Sequence, residues 1–268
     1  MWMWIVGAIL LVIAVCLYFA RRSQSGKLAQ VMATETSTCA QAAEMCRGTE
    51  GMSAVAAGAQ VEVKGTAEPR EVLTAEMSGR ECVCYKTRVE RKWEEERWER
   101  DSDGNRQRRT RSGTETMSEN EILNAFDVCD ETGKVLVDPQ GANIDWVDSV
   151  DKFERGDPEG GTLSIGGFRL SIGGIGLGTG GRRTLGYHYQ EWILPPQRRV
   201  YVLGAPGESN GEPCIVNPDQ RGSRFIVSVK SEEEIVKSAT RQVFWLTIAA
   251  GLCAVAGVAL IVAWLTTS

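Results

Sequence analysis

The chain has 268 residues, 43% of them hydrophobic and 24% charged, with a formal net charge of -5 at neutral pH. A mildly acidic chain lacks the basic stripe needed to displace counterions from a phosphate backbone, so no nucleic-acid partner is expected. The apolar content is unevenly placed: residues 1–20 and 243–268 carry no Asp, Glu, Lys or Arg, so the charge belongs to the middle of the chain.

Taken in order, the first apolar run is long enough to matter. At a rise of about 1.5 Å per residue, twenty helical residues span about 30 Å, the thickness of a bilayer core. Residues 1–20 and 243–267 are therefore expected to be transmembrane helices 1 and 2, with the lipid bilayer as a partner. A cleaved signal needs a positively charged start, whereas this chain opens Met1-Trp2-Met3-Trp4, and Val15 before Cys16 does not suit lipoprotein processing. Arg21 and Arg22 follow the first run, and Lys237 and Arg241 precede the second. Both basic flanks thus face the intervening domain, which the positive-inside rule places in the cytoplasm, making this a two-span membrane protein. Trp2 and Trp4 would share one interface with Trp264, and Tyr18 and Phe19 the other with Phe244 and Trp245.

Residues 21–60 read as a helical membrane-proximal linker, since Lys27–Met45 is rich in Ala and Gln and places Leu28, Val31 and Met32 at helical spacing. Residues 61–230 read as strands. Val61–Val63 opens the first, and Pro69 ends it. Between Leu73 and Trp98 the chain alternates: Val83, Tyr85, Thr87, Val89, Arg91 and Trp93 share one face, and Cys82, Cys84, Lys86, Arg88, Glu90 and Lys92 the other. Ser78-Gly79 supplies a turn before it. Asp101-Ser102-Asp103-Gly104-Asn105 beyond it carries the Asp-Gly chemistry that returns a strand as a hairpin. Arg106, Arg108, Arg109 and Arg111 on the returning arm either form a binding surface or face Glu94, Glu95, Glu96 and Glu99 across the turn. The interleaving of signs in an acidic domain favours the second. Phe126–Asp138 forms another hairpin around Asp130-Glu131-Thr132-Gly133.

Residues 160–181 are Gly-rich. Gly174, Gly176 and Gly178 match neither the dinucleotide spacing nor a phosphate-binding loop, so the stretch reads as a flexible, partly apolar loop. Its Leu163, Ile165, Phe168, Leu170, Ile172, Ile175 and Leu177 are candidates for touching the membrane or a partner. Tyr187–Leu194 and Arg198–Gly204 are strands joined by Pro195-Pro196, and Phe225–Val229 is the last strand. Ser231 then caps a helix with Glu232, Glu233 and Glu234 in its first turn, so residues 231–242 form a helical linker into the second apolar run. The expected fold is an all-β to α+β soluble domain, a partly closed barrel or curled sheet of about six to eight strands, flanked by two transmembrane α-helices.

Six cysteines lie outside the apolar runs: Cys39, Cys46, Cys82, Cys84, Cys129 and Cys214. None forms a C-x2-C pair and there is one histidine, so paired tetrahedral zinc sites fail on ligand count. Cys82 and Cys84, two apart on a strand, are expected on one face as small packing residues. His188, between Tyr187 and Tyr189 and near Glu191, lacks the nucleophile and orienting acid that a catalytic base requires. No catalytic, cofactor-binding or metal-ligating residue is assigned, and no cofactor is expected.

Four segments carry a family resemblance: VEVKGTAEP (Val61–Pro69), LTAEMSGRECVCYKTRVERKWEEERW (Leu73–Trp98), FDVCDETGKVLVDPQGA (Phe126–Ala142) and GYHYQEWILPPQRRVYVLG (Gly186–Gly204). Together they resemble the GIDE, or "beside a membrane" (BAM), domain, and the resemblance covers the chain from about Met1 to Ser268. The best-known members are RING-type ubiquitin ligases of mitochondrial and chloroplast membranes, and bacterial and archaeal relatives exist. The resemblance implies ubiquitin-protein transferase activity. In the ligases a RING follows the second membrane helix, a place this sequence leaves without zinc ligands, so the alternative expectation is a RING-less, non-enzymatic binding or scaffold module with an unidentified protein partner. Mitochondrial members place the domain in the intermembrane space, whereas the arginine flanks here favour the cytoplasm. Ala250, Ala254 and Gly257 align on one face of the second helix, and Gly7 and Ala14 on the first. A helix pair within one chain is the expected use, since the domain holds the inner helix ends close, and a homo-oligomer through transmembrane helix 2 is the alternative.

Overall fold

The computed structural model describes residues 2–33, 36–48, 60–100, 106–156, 161–171, 182–218, 223–230 and 232–267. Its helices are α1 (Trp2–Ala33), α2 (Cys39–Arg47) and α3 (Glu232–Thr267). An eight-stranded sheet contains β1 (Thr36–Ser37), β2 (Val61–Pro69), β7 (Phe126–Asp130), β8 (Gly133–Val137), β9 (Asn143–Asp145), β14 (Arg199–Ser209), β15 (Glu212–Val216) and β16 (Ile226–Ser228). A four-stranded sheet contains β5 (Cys84–Arg100), β6 (Arg106–Leu123), β10 (Val147–Arg155) and β13 (Arg182–Leu194). Two short hairpins, β3 (Leu73–Thr74) with β4 (Glu81–Cys82) and β11 (Thr162–Ile165) with β12 (Phe168–Ser171), complete the strands.

Five strands of the first sheet curl into a ring in the order β2-β7-β8-β15-β14, and β14 returns to β2. Alternating Val61 and Val63, Phe126 and Val128, Val135 and Val137, and Val200 and Val202 fill the interior, as a small barrel with period-2 strands requires. The β14–β15 hairpin turns through Asn210 and Gly211, both at positive φ (53° and 81°), the geometry that a two-residue primed turn demands. The ring is only partly closed. β8 and β15 pair at the single position Val137↔Ile215, with the Asp138 amide donating to the Ile215 carbonyl at 3.0 Å.

One end of the barrel is stoppered by α2, which contacts all five ring strands. Thr38 and Gln41 form a reciprocal capping box at its start. Cys39, Ala42 and Cys46, spaced i, i+3, i+7, turn their buried face into the core. Asp130, ending β7, anchors the plug: its carboxylate accepts the Cys39 amide at 2.8 Å and the Thr132 amide at 2.7 Å. Burial opposes the charge on Asp130, but the hydrogen bonds from Thr132 and Cys39 outweigh it and hold the carboxyl well below its ordinary range. Thus α2, inside the stretch expected as a linker, belongs to the barrel core.

The second sheet runs antiparallel in the order β10-β13-β5-β6. The expected alternation holds in β5: Tyr85, Thr87 and Val89 are buried, and β13 contributes Tyr187, Tyr189 and Ile193. β5 and β6 pair from Cys84↔Leu123 to Arg100↔Arg106, the expected hairpin; its Asp101–Asn105 turn lies outside the described residues. Seventeen residues at about 3.3 Å each make an arm of roughly 55 Å. The arm outruns β13, whose pairing stops at Arg182↔Glu95.

Three expectations are corrected. The alternation expected from Cys82 onward is broken at Val83, whose amide donates to the Leu194 carbonyl at 2.8 Å. Because of that bend, Cys82 packs with Ala75, Tyr85 and Ile193 while Cys84 joins the barrel core, so the two cysteines do not share a face. The first half of the Gly-rich stretch is a hairpin rather than a loop. It turns at Gly166 (φ 55°), where any Cβ would strike the Met77 carbonyl. Its Leu163 and Phe168 are buried against Met77, Val89, Tyr187 and Tyr189, which removes them from any membrane or partner contact. The second half, with Ile172, Gly174, Ile175, Gly176, Leu177 and Gly178, lies outside the described residues, as does Ser231. Finally, sixteen strands are present among the described residues where six to eight were expected, because β1, β3, β4, β9, β11 and β12 are too short to show a period and β10 and β15 have theirs masked by charged residues and by Pro213.

Outside the domain, α1 and α3 pack along each other. They touch closely at two glycines: a Cβ on Gly7 would lie 3.0 Å from the Gly257 carbonyl, and one on Gly257 would lie 3.0 Å from the Gly7 carbonyl. Ala14, Ala250 and Ala254 lie on the same half-covered stripes. The opposite faces are bare, with Leu252 67% and Val255 70% exposed. Ile5–Arg22 and Thr240–Ala263 are long and apolar enough to cross a membrane.

Two outcomes are expected. Gly257→Leu forces α1 and α3 apart and costs about 1–3 kcal/mol of helix-pair stability, seen as a lower denaturation midpoint in detergent by near-UV circular dichroism. Asp130→Ala removes the tie on α2 and costs about 1–2 kcal/mol. The sign of its pH dependence follows from the depressed folded-state pKa. The stabilisation from Asp130 is fully present above about pH 4, the unfolded value, and is lost as pH falls toward the lower folded value. Urea unfolding of the full chain should therefore show a parent-minus-variant gap that narrows in acid; a gap independent of pH would assign the effect to packing.

Candidate functional site

The buried carboxylates hold the fold together. Glu191, 0% exposed, accepts the amides of Met77 at 2.6 Å and Ser78 at 3.2 Å and so ties the β3–β4 turn to β13. Glu62, also 0% exposed, accepts from the Thr36 hydroxyl at 2.6 Å and the Tyr201 hydroxyl at 2.9 Å, with the Lys64 Nζ at 3.4 Å. Each charge is compensated by donors, as burial requires.

His188 has an orienting acid that the sequence did not point to: Asp151 Oδ1 lies 2.5 Å from its Nε2. The acid comes from β10, a strand not anticipated. The residues opposite His188 on its neighbouring strands are Phe153 and Glu90, so the pair has no nucleophile in register. Burial pushes the thiols of Cys39, Cys84 and Cys214 up to about 12, and those of Cys46, Cys82 and Cys129 up to about 11. Such groups stay protonated at neutral pH and are poor nucleophiles. Among the described residues no three His, Cys, Asp or Glu side chains converge as metal ligands would.

Three of the four arginines on the returning arm face glutamates across the hairpin, as the second alternative expects. Arg108 pairs with Glu96, and Arg109 and Arg111 reach Glu99 at 3.5 and 3.6 Å. Nearer the barrel, Arg183 pairs with Glu94 at 2.6 Å, and Arg182 stacks over Trp93 at 4.2 Å.

A groove of about 330 Å³ lies where α2, β7, β8 and β15 meet. Leu136 and Pro213 provide apolar wall, Val135 lies at the strand edge with its side chain in the barrel core, and Arg47, Arg70, Asp127 and Lys134 provide charge. Both oxygens of Asp127 are engaged, Oδ1 by Arg70 Nε at 3.3 Å and Oδ2 by Lys134 Nζ at 3.0 Å. Arg70 also pairs with Glu212. None of these residues was singled out from the sequence, since they come from five separated places and no local pattern joins them.

A family profile described as GIDE, E3 ubiquitin ligase, matches residues 94–263. Comparison with curated proteins and with solved structures returns no match. The matched region starts in β5, takes in most of the second sheet, the barrel strands β7, β8, β14 and β15, and runs through most of α3. It covers well over half of the sequence, and the chain belongs to the GIDE family.

Proposed function

We propose that this chain is a membrane-anchored, non-enzymatic binding or scaffold module of the GIDE family, with its β-rich domain in the cytoplasm. The observation that carries the reading is the pairing of two apolar helices, bare on their outer faces, with a capped barrel whose buried carboxylates and thiols serve internal packing. Lipid is the natural cover for those outer faces, which water would leave unfavourably exposed. Arg21, Arg22, Lys237 and Arg241 on the domain side support the cytoplasmic placement.

Ubiquitin transfer is the second reading, favoured by the family description. A RING needs eight Cys and His donors brought together in tight pairs, and one histidine with no C-x2-C pair does not supply them. A ligase role would therefore need its zinc module from another polypeptide or segment.

Purified full-length chain in lipid nanodiscs should leave the discharge of ubiquitin from a charged carrier enzyme at the protein-free rate. A tenfold acceleration would establish the transferase reading instead. The chain should also stay in the membrane pellet after alkaline carbonate washing. Orientation needs an introduced thiol in a Cys129→Ser background, because Cys39, Cys46, Cys82, Cys84 and Cys214 are buried and Cys129 is half-buried. Ser164→Cys, on an exposed position of β11, should resist an impermeant maleimide in intact cells and react after permeabilisation. Reaction before permeabilisation would put the domain on the outer side.

A further inference from the structure

β8 has a complete neighbour on one edge and an incomplete one on the other. It pairs with β7 from Gly133 to Val137, but with β15 only at Val137. The β7–β8 hairpin closes at Asp130↔Gly133, so alternate residues Val135 and Val137 exchange bonds with β7. The main-chain groups of Lys134 and the amide of Leu136 point to the other edge. The amide of Asp138, in the same phase, donates to Ile215 and fixes this assignment. β15 does not continue the ladder because Pro213, two residues before Ile215, has no N–H to donate. The gap left by that proline is the groove.

The charges at this gap are not all paired. Arg70 and Lys134 are held by Asp127 and Glu212, and Glu68 sits opposite Asp127 on β2, so among the described residues Arg47 is the groove cation left without an ion pair. Exposed strand edges recruit extended peptides through main-chain hydrogen bonds, and flanking side chains select which peptide.

Resting on the binding-module reading, we propose that the β8 edge at Lys134–Leu136 takes an acidic, extended segment of a partner protein, which adds a short strand in the seam and sets a carboxylate among Arg47, Arg70 and Lys134. An isolated phosphate group would meet the cations but leave the backbone edge and the apolar wall of Leu136 and Pro213 unused.

The test uses the full-length chain in nanodiscs of neutral lipid, with two fluorescein-labelled hexapeptides, one alternating Glu and Val and the other Lys and Val. Binding is read by anisotropy and the edge by amide hydrogen exchange. The acidic peptide should bind at least tenfold more tightly than the basic one and weaken with added salt. It should also slow exchange at Leu136. Arg47→Gln, at an exposed position, should weaken binding about tenfold, whereas Glu44→Gln on the same helix should not, with both variants keeping the parent's unfolding midpoint. Equal binding of the two peptides, binding without protection at Leu136, or inorganic phosphate alone reproducing that protection would each overturn the proposal. So would absence of peptide binding, and a chain also inert toward charged ubiquitin carrier would then lose this groove while remaining a binding module.

Discussion

The tie between Asp130 and the first turn of α2 is the constraint on which the barrel depends. A five-stranded ring lined by valines has an open end that its own side chains cannot cover. A nine-residue helix is too short to be stable on propensity alone. The two deficits cancel when α2 lies across the opening, and the capping box and the Asp130 carboxylate together satisfy amides that a helix start leaves without partners. The same carboxylate shapes the β7–β8 turn through Thr132 and Gly133. One side chain thus sets both the hairpin register and the position of the plug.

From that barrel the second sheet extends as an arm held by a different kind of interaction. Near the barrel it has an apolar face, with Val89, Tyr187 and Tyr189 covered by the β11–β12 hairpin. Farther out the buried area fades and cross-strand contacts take over: Trp93 lies against Gly113, under Arg182, and Arg–Glu pairs follow toward the tip. Exposed ion pairs contribute at most about 1 kcal/mol each and are screened by salt. The tip therefore has the lowest local stability of the arm, while its root shares the core.

Much of this was legible because it is local. The period-2 run from Tyr85 to Val89, the Asp130–Gly133 turn, the Pro195-Pro196 break and the two apolar ends all act over a few residues, and each appears in the fold as read. What escaped was non-local or masked by charge. β10, VDSVDKFER, hides its pairing to β13 under acids and bases, and with it the partner of His188. The Thr38-x-x-Gln41 box was a visible helix start, but nothing nearby says that the helix plugs a barrel. The groove gathers Arg47, Arg70, Asp127, Lys134 and Pro213 from distant parts of the chain. Only the ring closure, set by the pairing of β14 with both β2 and β15, brings them together.

Ring order also separates the groove from the membrane helices. The segment after α1 enters at β1, which pairs with β2, where the Thr36 hydroxyl donates to Glu62. The segment before the apolar part of α3 leaves from β16, which pairs with β14, and Val236 of α3 packs on Tyr201, Leu203 and Ile226. Tyr201 in turn donates to Glu62, so the attachments of both helices converge on the β2–β14 pair through one buried carboxylate. In a ring of five strands ordered β2-β7-β8-β15-β14, the strand opposite the β2–β14 pair is β8. The open edge of β8 is therefore on the wall farthest from the helix attachments. That separation around the ring favours a soluble acidic segment over the bilayer as the occupant of the β8 edge.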